Sequence, residues 1–228
     1  KMLDDIVSNK SLQANGVIAF YPATAKGDDV ELKIQDSTTS TFHFLRQQNK
    51  KAQNLPNFCL ADFVSPDSGQ DYMGMFAVTT GLGLEKLTAK HQANQDDYSD
   101  IMAKALADRL AEAFAECLHE KVRKELWGYA KGESLTNVQL IDEAYQGIRP
   151  APGYPACPDH TEKKLLFELL QANKVGIQLT ESYAMFPGAA VSGFYFSHAE
   201  SKYFGLGKIE RDQVEDYARR KGMSVEDI

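Results

Sequence analysis

The sequence predicts an α+β fold, a twisted antiparallel sheet with long helices packed around it, and three observations carry that expectation. Strand-like segments come in runs and helical segments come in runs, without the regular alternation of a doubly wound fold. The early segments show two-residue alternation between short turns, as in Val30, Leu32 and Ile34 against Glu31 and Lys33. A long stretch from Asp96 to Trp127 carries helical periodicity instead.

The elements follow in order. Met2, Leu3, Ile6 and Val7 recur at helical spacing with no N-cap before them, so the chain opens partway through a helix, as a trimmed segment does. Asn15-Gly16 breaks the pattern, and Val17 to Tyr21 reads as a short buried strand closed by Pro22. Lys26 to Asp29 is turn material. The Val30–Ile34 strand follows, and Phe42 and Phe44 flank His43 in the same alternating way. Further strands are expected at Phe58–Val64, between Pro56 and Pro66, and at Tyr72–Val78.

The clearest helix starts at the capping pair Asp96-Asp97 and ends near Trp127, before Gly128. Met102, Leu106, Leu110, Ala113, Phe114, Cys117 and Leu118 share its expected apolar face, with Asp108, Glu112 and Glu116 on another. A capping box at Thr136–Gln139 opens a helix expected to reach Tyr145. Another starts at Asp159 and carries Leu165, Leu166, Leu169 and Leu170. Strands return at Phe194–Phe196 and around Tyr203. A charged helix spans Arg211 to Lys221 before Gly222, and Ser224 is a candidate cap for one more.

Composition narrows the function classes. The 228 residues are 43% hydrophobic and 25% charged, a globular balance that excludes wholesale disorder. Twenty-five basic against 32 acidic residues leave a net charge of −7, which argues against a general nucleic-acid binder. No apolar run approaches the ~20 residues of a membrane span, and no basic-then-apolar leader opens the chain. Cys59, Cys117 and Cys157 are too few and too scattered for a disulfide scaffold or a zinc site. A reduced, soluble, cytoplasmic protein without a bound metal is expected.

Chemistry concentrates in residues 147–160, Gly-Ile-Arg-Pro-Ala-Pro-Gly-Tyr-Pro-Ala-Cys-Pro-Asp-His, with four prolines and two glycines in 14 positions. Proline fixes φ and removes donors, so the loop is stiff, and stiffness lowers the entropy lost on binding a ligand. Arg149 offers a planar fork suited to a carboxylate, and Tyr154 an aromatic face with one hydroxyl. The competing reading is a rigid connection between two capped helices.

The segment Arg149-Pro-Ala-Pro-Gly-Tyr-Pro-Ala-Cys-Pro-Asp-His-Thr-Glu-Lys163 resembles the signature of the activation domain of cobalamin-dependent methionine synthases. Residues 105–116, 179–188, 196–203 and 212–222, with Arg46-Gln-Gln48, are similar to the same family, so the likeness covers essentially the whole chain. The resemblance implies a methyltransferase module that binds S-adenosylmethionine. It supports reductive methylation of inactive cob(II)alamin, the cobalamin being held by another domain of the same polypeptide. Flavodoxin or a related reductase would supply the electron.

Carried across by position, the resemblance implies that Arg149 binds the ligand carboxylate and that Tyr154, Tyr203 and Phe204 lie at the ligand. It also places Glu112 and Glu143 near the ligand, and Asp108 toward the cobalamin domain. Each role has a rival. Asp108, Glu112 and Glu116 also read as an ordinary solvated helix face, and Tyr203 as an edge-strand aromatic packed on the sheet. His160 and His198 have no partner carboxylate placed by spacing, and Cys157 reads as packed.

The family pattern extends beyond Lys1, with an aspartate at the ligand, and beyond Ile228. Residues 1–228 are therefore expected to form a single activation domain, trimmed at the N-terminus and slightly at the C-terminus, with ligand binding weakened or lost. Two other readings stand beside this one. A free-standing S-adenosylmethionine-dependent methyltransferase would use a glycine-rich turn after a parallel strand, for which Gly81-Leu82-Gly83 is a weak match. A pure redox-partner module would have no ligand of its own. For docking an acidic flavodoxin, the basic residues are Lys208, Arg211, Arg219, Arg220 and Lys221.

Overall fold

The computed structural model describes every residue except 36–37 and 53–54. In chain order its elements are α1 (Met2–Asn9), β1 (Gln13–Lys26), β2 (Asp29–Gln35), β3 (Thr38–His43) and β4 (Asp71–Leu82). There follow α2 (Leu84–Ala93), α3 (Asp97–Lys121), α4 (Asn137–Ile141) and α5 (Glu162–Leu170). The chain closes with β5 (Gln178–Leu179), β6 (Met185–Phe186), β7 (Ala190–Tyr195) and α6 (Arg211–Lys221). Five strands form one antiparallel sheet in the order β3-β2-β1-β4-β7, and β5 and β6 form a small ribbon. The expected α+β antiparallel architecture is the one observed.

Period-two alternation splits the sheet into two apolar faces. Met73, Met75 and Ala77 of β4, with Phe194 of β7, join Leu166, Phe167 and Leu170 of α5 on one side. Phe76 and Val78 of β4, with Tyr195 of β7, meet Ala115 and the half-buried Phe114 and Leu118 of α3 on the other. A helix thus covers each face, and the 147–160 loop runs between them.

The apolar face of α3 is displaced from the expected one. Its fully buried positions are Ala103, Ala107, Ala111, Ala115 and His119, at every fourth residue, while Ala113 and Cys117 are exposed. Met102, Leu106, Leu110, Phe114 and Leu118 flank this stripe half-buried. Alanine lets the helix axis approach the sheet, and the Thr80 hydroxyl reaches the Ala107 carbonyl at 2.7 Å. Asp96 caps the helix as expected, accepting the Ser99 N–H.

Several boundaries differ from expectation for identifiable reasons. β1 runs through Gly16, where a side chain would press on Phe114 and Val78 at 3.1 Å, and through Pro22 to Lys26. Pro22 sits one residue outside the β2 ladder, which begins at Ala23, so it costs no pairing there. Phe58–Val64 is no strand. Leu60–Phe63 forms a tight turn because the Asp62 carboxylate bonds back to the Cys59 N–H and takes a two-pronged contact from Arg46.

β4 continues past Val78 to Leu82, and α4 stops at Ile141, short of Tyr145, although its Thr136–Gln139 capping box is present. α5 starts at Glu162, because Asp159 turns its carboxylate onto the N–H and hydroxyl of Thr161. The segment around Tyr203 lies outside any strand, and Ser224 bonds to Asp227 in a turn without starting a helix. The sequence pattern does not predict α2. It buries only Thr88, so it leaves little periodic signal.

Candidate functional site

The proline-rich loop is fixed to the sheet edge by backbone pairing. Ile148 exchanges hydrogen bonds with Phe196, and the Phe194 N–H donates to the Pro150 carbonyl at 2.8 Å. That approach requires Gly193, since a Cβ there would lie 2.6 Å from the Pro150 oxygen. Within the loop, Gly153 N–H reaches the Cys157 carbonyl and Cys157 N–H reaches the Tyr154 carbonyl. The backbone that carries Arg149 and Tyr154 is therefore bonded at both ends.

Between this loop, the middle of α3 and the segment after β7 opens a cavity of about 530 Å³. Arg149, Tyr154, Tyr203, Phe204, Glu112 and Glu143 all line it, over a floor that includes Phe76. The six residues come from four separated stretches of sequence, and the fold brings them together. Asp108 does not line the cavity. It lies exposed one turn before Glu112 on α3.

Arg149 is held on three sides. Its Nη1 donates to the Tyr145 hydroxyl at 2.8 Å and to His119 Nδ1 at 3.1 Å, and its Nη2 pairs with Glu116 Oε2 at 2.5 Å. Its backbone N–H donates to the Tyr203 hydroxyl at 3.0 Å. Burial, with the cations of Arg123 and Arg149 beside it, pushes the His119 imidazole down to about 2, so the ring is neutral. Burial also pushes the Tyr145 phenol up, beyond its ordinary range. The cavity wall therefore offers one cationic fork and two carboxylates, a pattern that complements a ligand with a carboxylate and positive charge.

The family model described as vitamin B12 dependent methionine synthase, activation domain, matches residues 1–222. The chain belongs to that family. Among solved structures, one described as the MetH reactivation domain bound to AdoHcy is 56% identical, with a TM-score of 0.93. The match covers 99% of this chain and 71% of that one.

Seen as a methionine synthase activation domain, the chain leaves little for the other readings of its motifs. Gly81-Leu82-Gly83 closes an antiparallel strand, and no parallel pair exists among the described residues, so the turn is not a dinucleotide-type fingerprint. No helix is long and apolar enough to cross a membrane, and no metal-ligating cluster occurs, both among the described residues. His160 contacts Lys163, and His198 accepts the Glu200 N–H. Cys157 is buried, and burial raises its thiol well above the ordinary value, in keeping with a packed role.

Each basic residue of α6 has an acidic partner. Arg211 pairs with Glu215, Arg219 and Arg220 with Asp216, and Arg220 also with Asp29. Lys221 is half-buried and pairs with Asp159 and Glu162, and Lys208 pairs with Glu210. Sequence spacing does not mark Glu116, His119 and Tyr145 as site residues. Glu116 belongs to a charged stripe, and its place two turns beyond Asp108 gives no sign of its arginine partner. The one signal in the sequence is the four-residue spacing that puts His119 in line with Ala103, Ala107, Ala111 and Ala115.

Proposed function

We propose that this activation domain binds S-adenosylmethionine in the cavity at Arg149 and serves reductive methylation of a cobalamin carried by another domain of the same polypeptide. The observation that carries the reading is the convergence of one arginine fork, two carboxylates and four aromatic rings on one cavity. Its volume falls in the range of small-molecule sites, ~300–1,000 Å³. The AdoHcy held by the related reactivation domain supports the same ligand class.

When bound, S-adenosylmethionine supplies an electrophilic methyl group on a sulfonium. Arg149 takes the ligand carboxylate, and Glu112 and Glu143 face its ammonium or sulfonium charge. Tyr154, Tyr203 and Phe204 contribute aromatic faces, and the Tyr203 hydroxyl holds the Arg149 backbone. No residue of the chain needs to move a proton at the methyl, so the domain acts by binding and orienting. Alone it turns over nothing. Asp108, outside the cavity, faces the cobalamin domain, and flavodoxin or a related reductase supplies the electron.

Titration calorimetry with S-adenosylmethionine, on this chain and on the full-length polypeptide, tests the reading. Saturable one-site binding in the full-length polypeptide is expected. Absence of binding in both leaves the redox-partner module in its place.

A further inference from the structure

Behind the cavity lies a group of buried polar side chains that ligand binding does not itself use. His119 and Tyr145 both hold Arg149 Nη1, and neither lines the cavity. A guanidinium only donates, so His119 Nδ1 is the acceptor and the neutral ring carries its proton on Nε2. The imidazole stacks on Tyr195, with centroids 5.2 Å apart and planes 15° from parallel. Tyr195 stacks in turn on Phe76 at 4.6 Å and 19°, and Phe76 belongs to the cavity floor. Three buried rings thus run from the floor of the cavity to the back of Arg149.

Tyr145 is fixed as firmly. The guanidinium carbon of Arg123 lies 4.3 Å from its ring centroid. Arg123 itself is fully buried and bonded through Nε and Nη2 to both oxygens of Glu133.

Resting on the reading that Arg149 receives the ligand carboxylate, we propose that His119 and Tyr145 are positioning residues that set the Arg149 guanidinium before the ligand arrives. Two features of the contacts support this role. Both partners are neutral, so they fix the fork without neutralising the charge a carboxylate needs. Glu116, by contrast, shares that charge through Nη2. Both partners are also locked by stacking, so the long arginine side chain has little freedom left to lose when a ligand binds.

The test compares two probes, S-adenosylmethionine and decarboxylated S-adenosylmethionine, which keeps the adenosine, sulfonium and amine but lacks the carboxylate. Tyr145→Phe removes one neutral acceptor and keeps the ring. It is expected to weaken S-adenosylmethionine about fivefold, on the order of the net worth of one hydrogen bond, and to leave the decarboxylated probe within about twofold. His119→Phe should show the same selective loss. His119→Asn, whose amide oxygen stands near the place of Nδ1, should recover part of it. Equal weakening of both probes, or no change in either, overturns the positioning role while leaving the binding reading intact. A wild-type full-length polypeptide, the form in which all these variants are compared, that binds neither probe overturns the binding reading, and this proposal with it.

Discussion

The hydroxyl of Tyr203 accepts the backbone N–H of Arg149 at 3.0 Å, across 54 residues of sequence. The contact joins two walls of one cavity, the proline-rich loop and the segment after β7. Tyr203 is therefore not an edge-strand aromatic: it lies outside any strand, and its hydroxyl accepts one bond from the loop while keeping its own proton to donate.

Arg149→Ala is expected to weaken S-adenosylmethionine by ~2–5 kcal/mol, as for a desolvated charge pair that loses one partner. Arg149→Lys should recover only part, because an ammonium cannot reproduce the fork. Calorimetry checks both. Affinity equal to that of the parent removes Arg149 from the site.

Glu112 and Asp108 sit one turn apart on α3, both exposed, yet only Glu112 lines the cavity. Glu112→Gln and Asp108→Asn should each leave unfolding free energy within ~0.5 kcal/mol of wild type. Ligand affinity should fall in the Glu112 variant alone, and the Asp108 variant should alter the reactivation rate of the full-length enzyme. Identical behaviour of the two variants in both assays contradicts the division of roles.

His119 gives the fold a pH dependence with a defined sign. Its folded value is about 2 against an ordinary 6.5, so below pH 6.5 the unfolded chain binds a proton that the folded chain excludes. Stability from this group is complete above pH 6.5 and is lost as pH falls through the window toward 2. Relative to His119→Phe, the wild type should lose about 1.4 kcal/mol per pH unit below ~6.5. Urea unfolding of both proteins at pH about 7.5 and about 5.5 measures the difference. Parallel changes in the two proteins would show that His119 is not buried neutral.

Lys221 contacts Asp159, Thr161 and Glu162, tying α6 to the end of the proline-rich loop. Lys221→Ala leaves two carboxylates together without their cation and should cost ~3–5 kcal/mol of stability. Arg211→Ala, at an exposed pair, should cost less than ~1 kcal/mol. Chemical denaturation separates them. Similar small losses for both would return α6 to the status of a surface helix.

How much the sequence discloses depends on where the deciding contacts lie. α6 is bounded as expected because its end is local, a Gly222 at φ 66°. The capping box at Thr136 is likewise local, whereas the end of α4 is set by a left-handed Glu143 that no periodicity reports. Phe58–Val64 has strand composition, but the Arg46–Asp62 pair, 16 residues apart, decides for a turn. The six cavity residues were found through family resemblance, not spacing. Composition alone pointed only to Arg149 and Tyr154. Two partners of Arg149, His119 and Glu116, are hidden from local pattern because they reach it across 30 and 33 residues.

A crystal structure of the activation domain with S-adenosylmethionine decides whether Arg149 receives the ligand. The ligand carboxylate should lie on Arg149, with Glu112, Glu143 and the rings of Tyr154, Tyr203 and Phe204 around the rest. A ligand bound elsewhere, for example in the groove between α1 and α3 beside Met2, Tyr98 and Met102, with Arg149 still paired only to its protein partners, would contradict it.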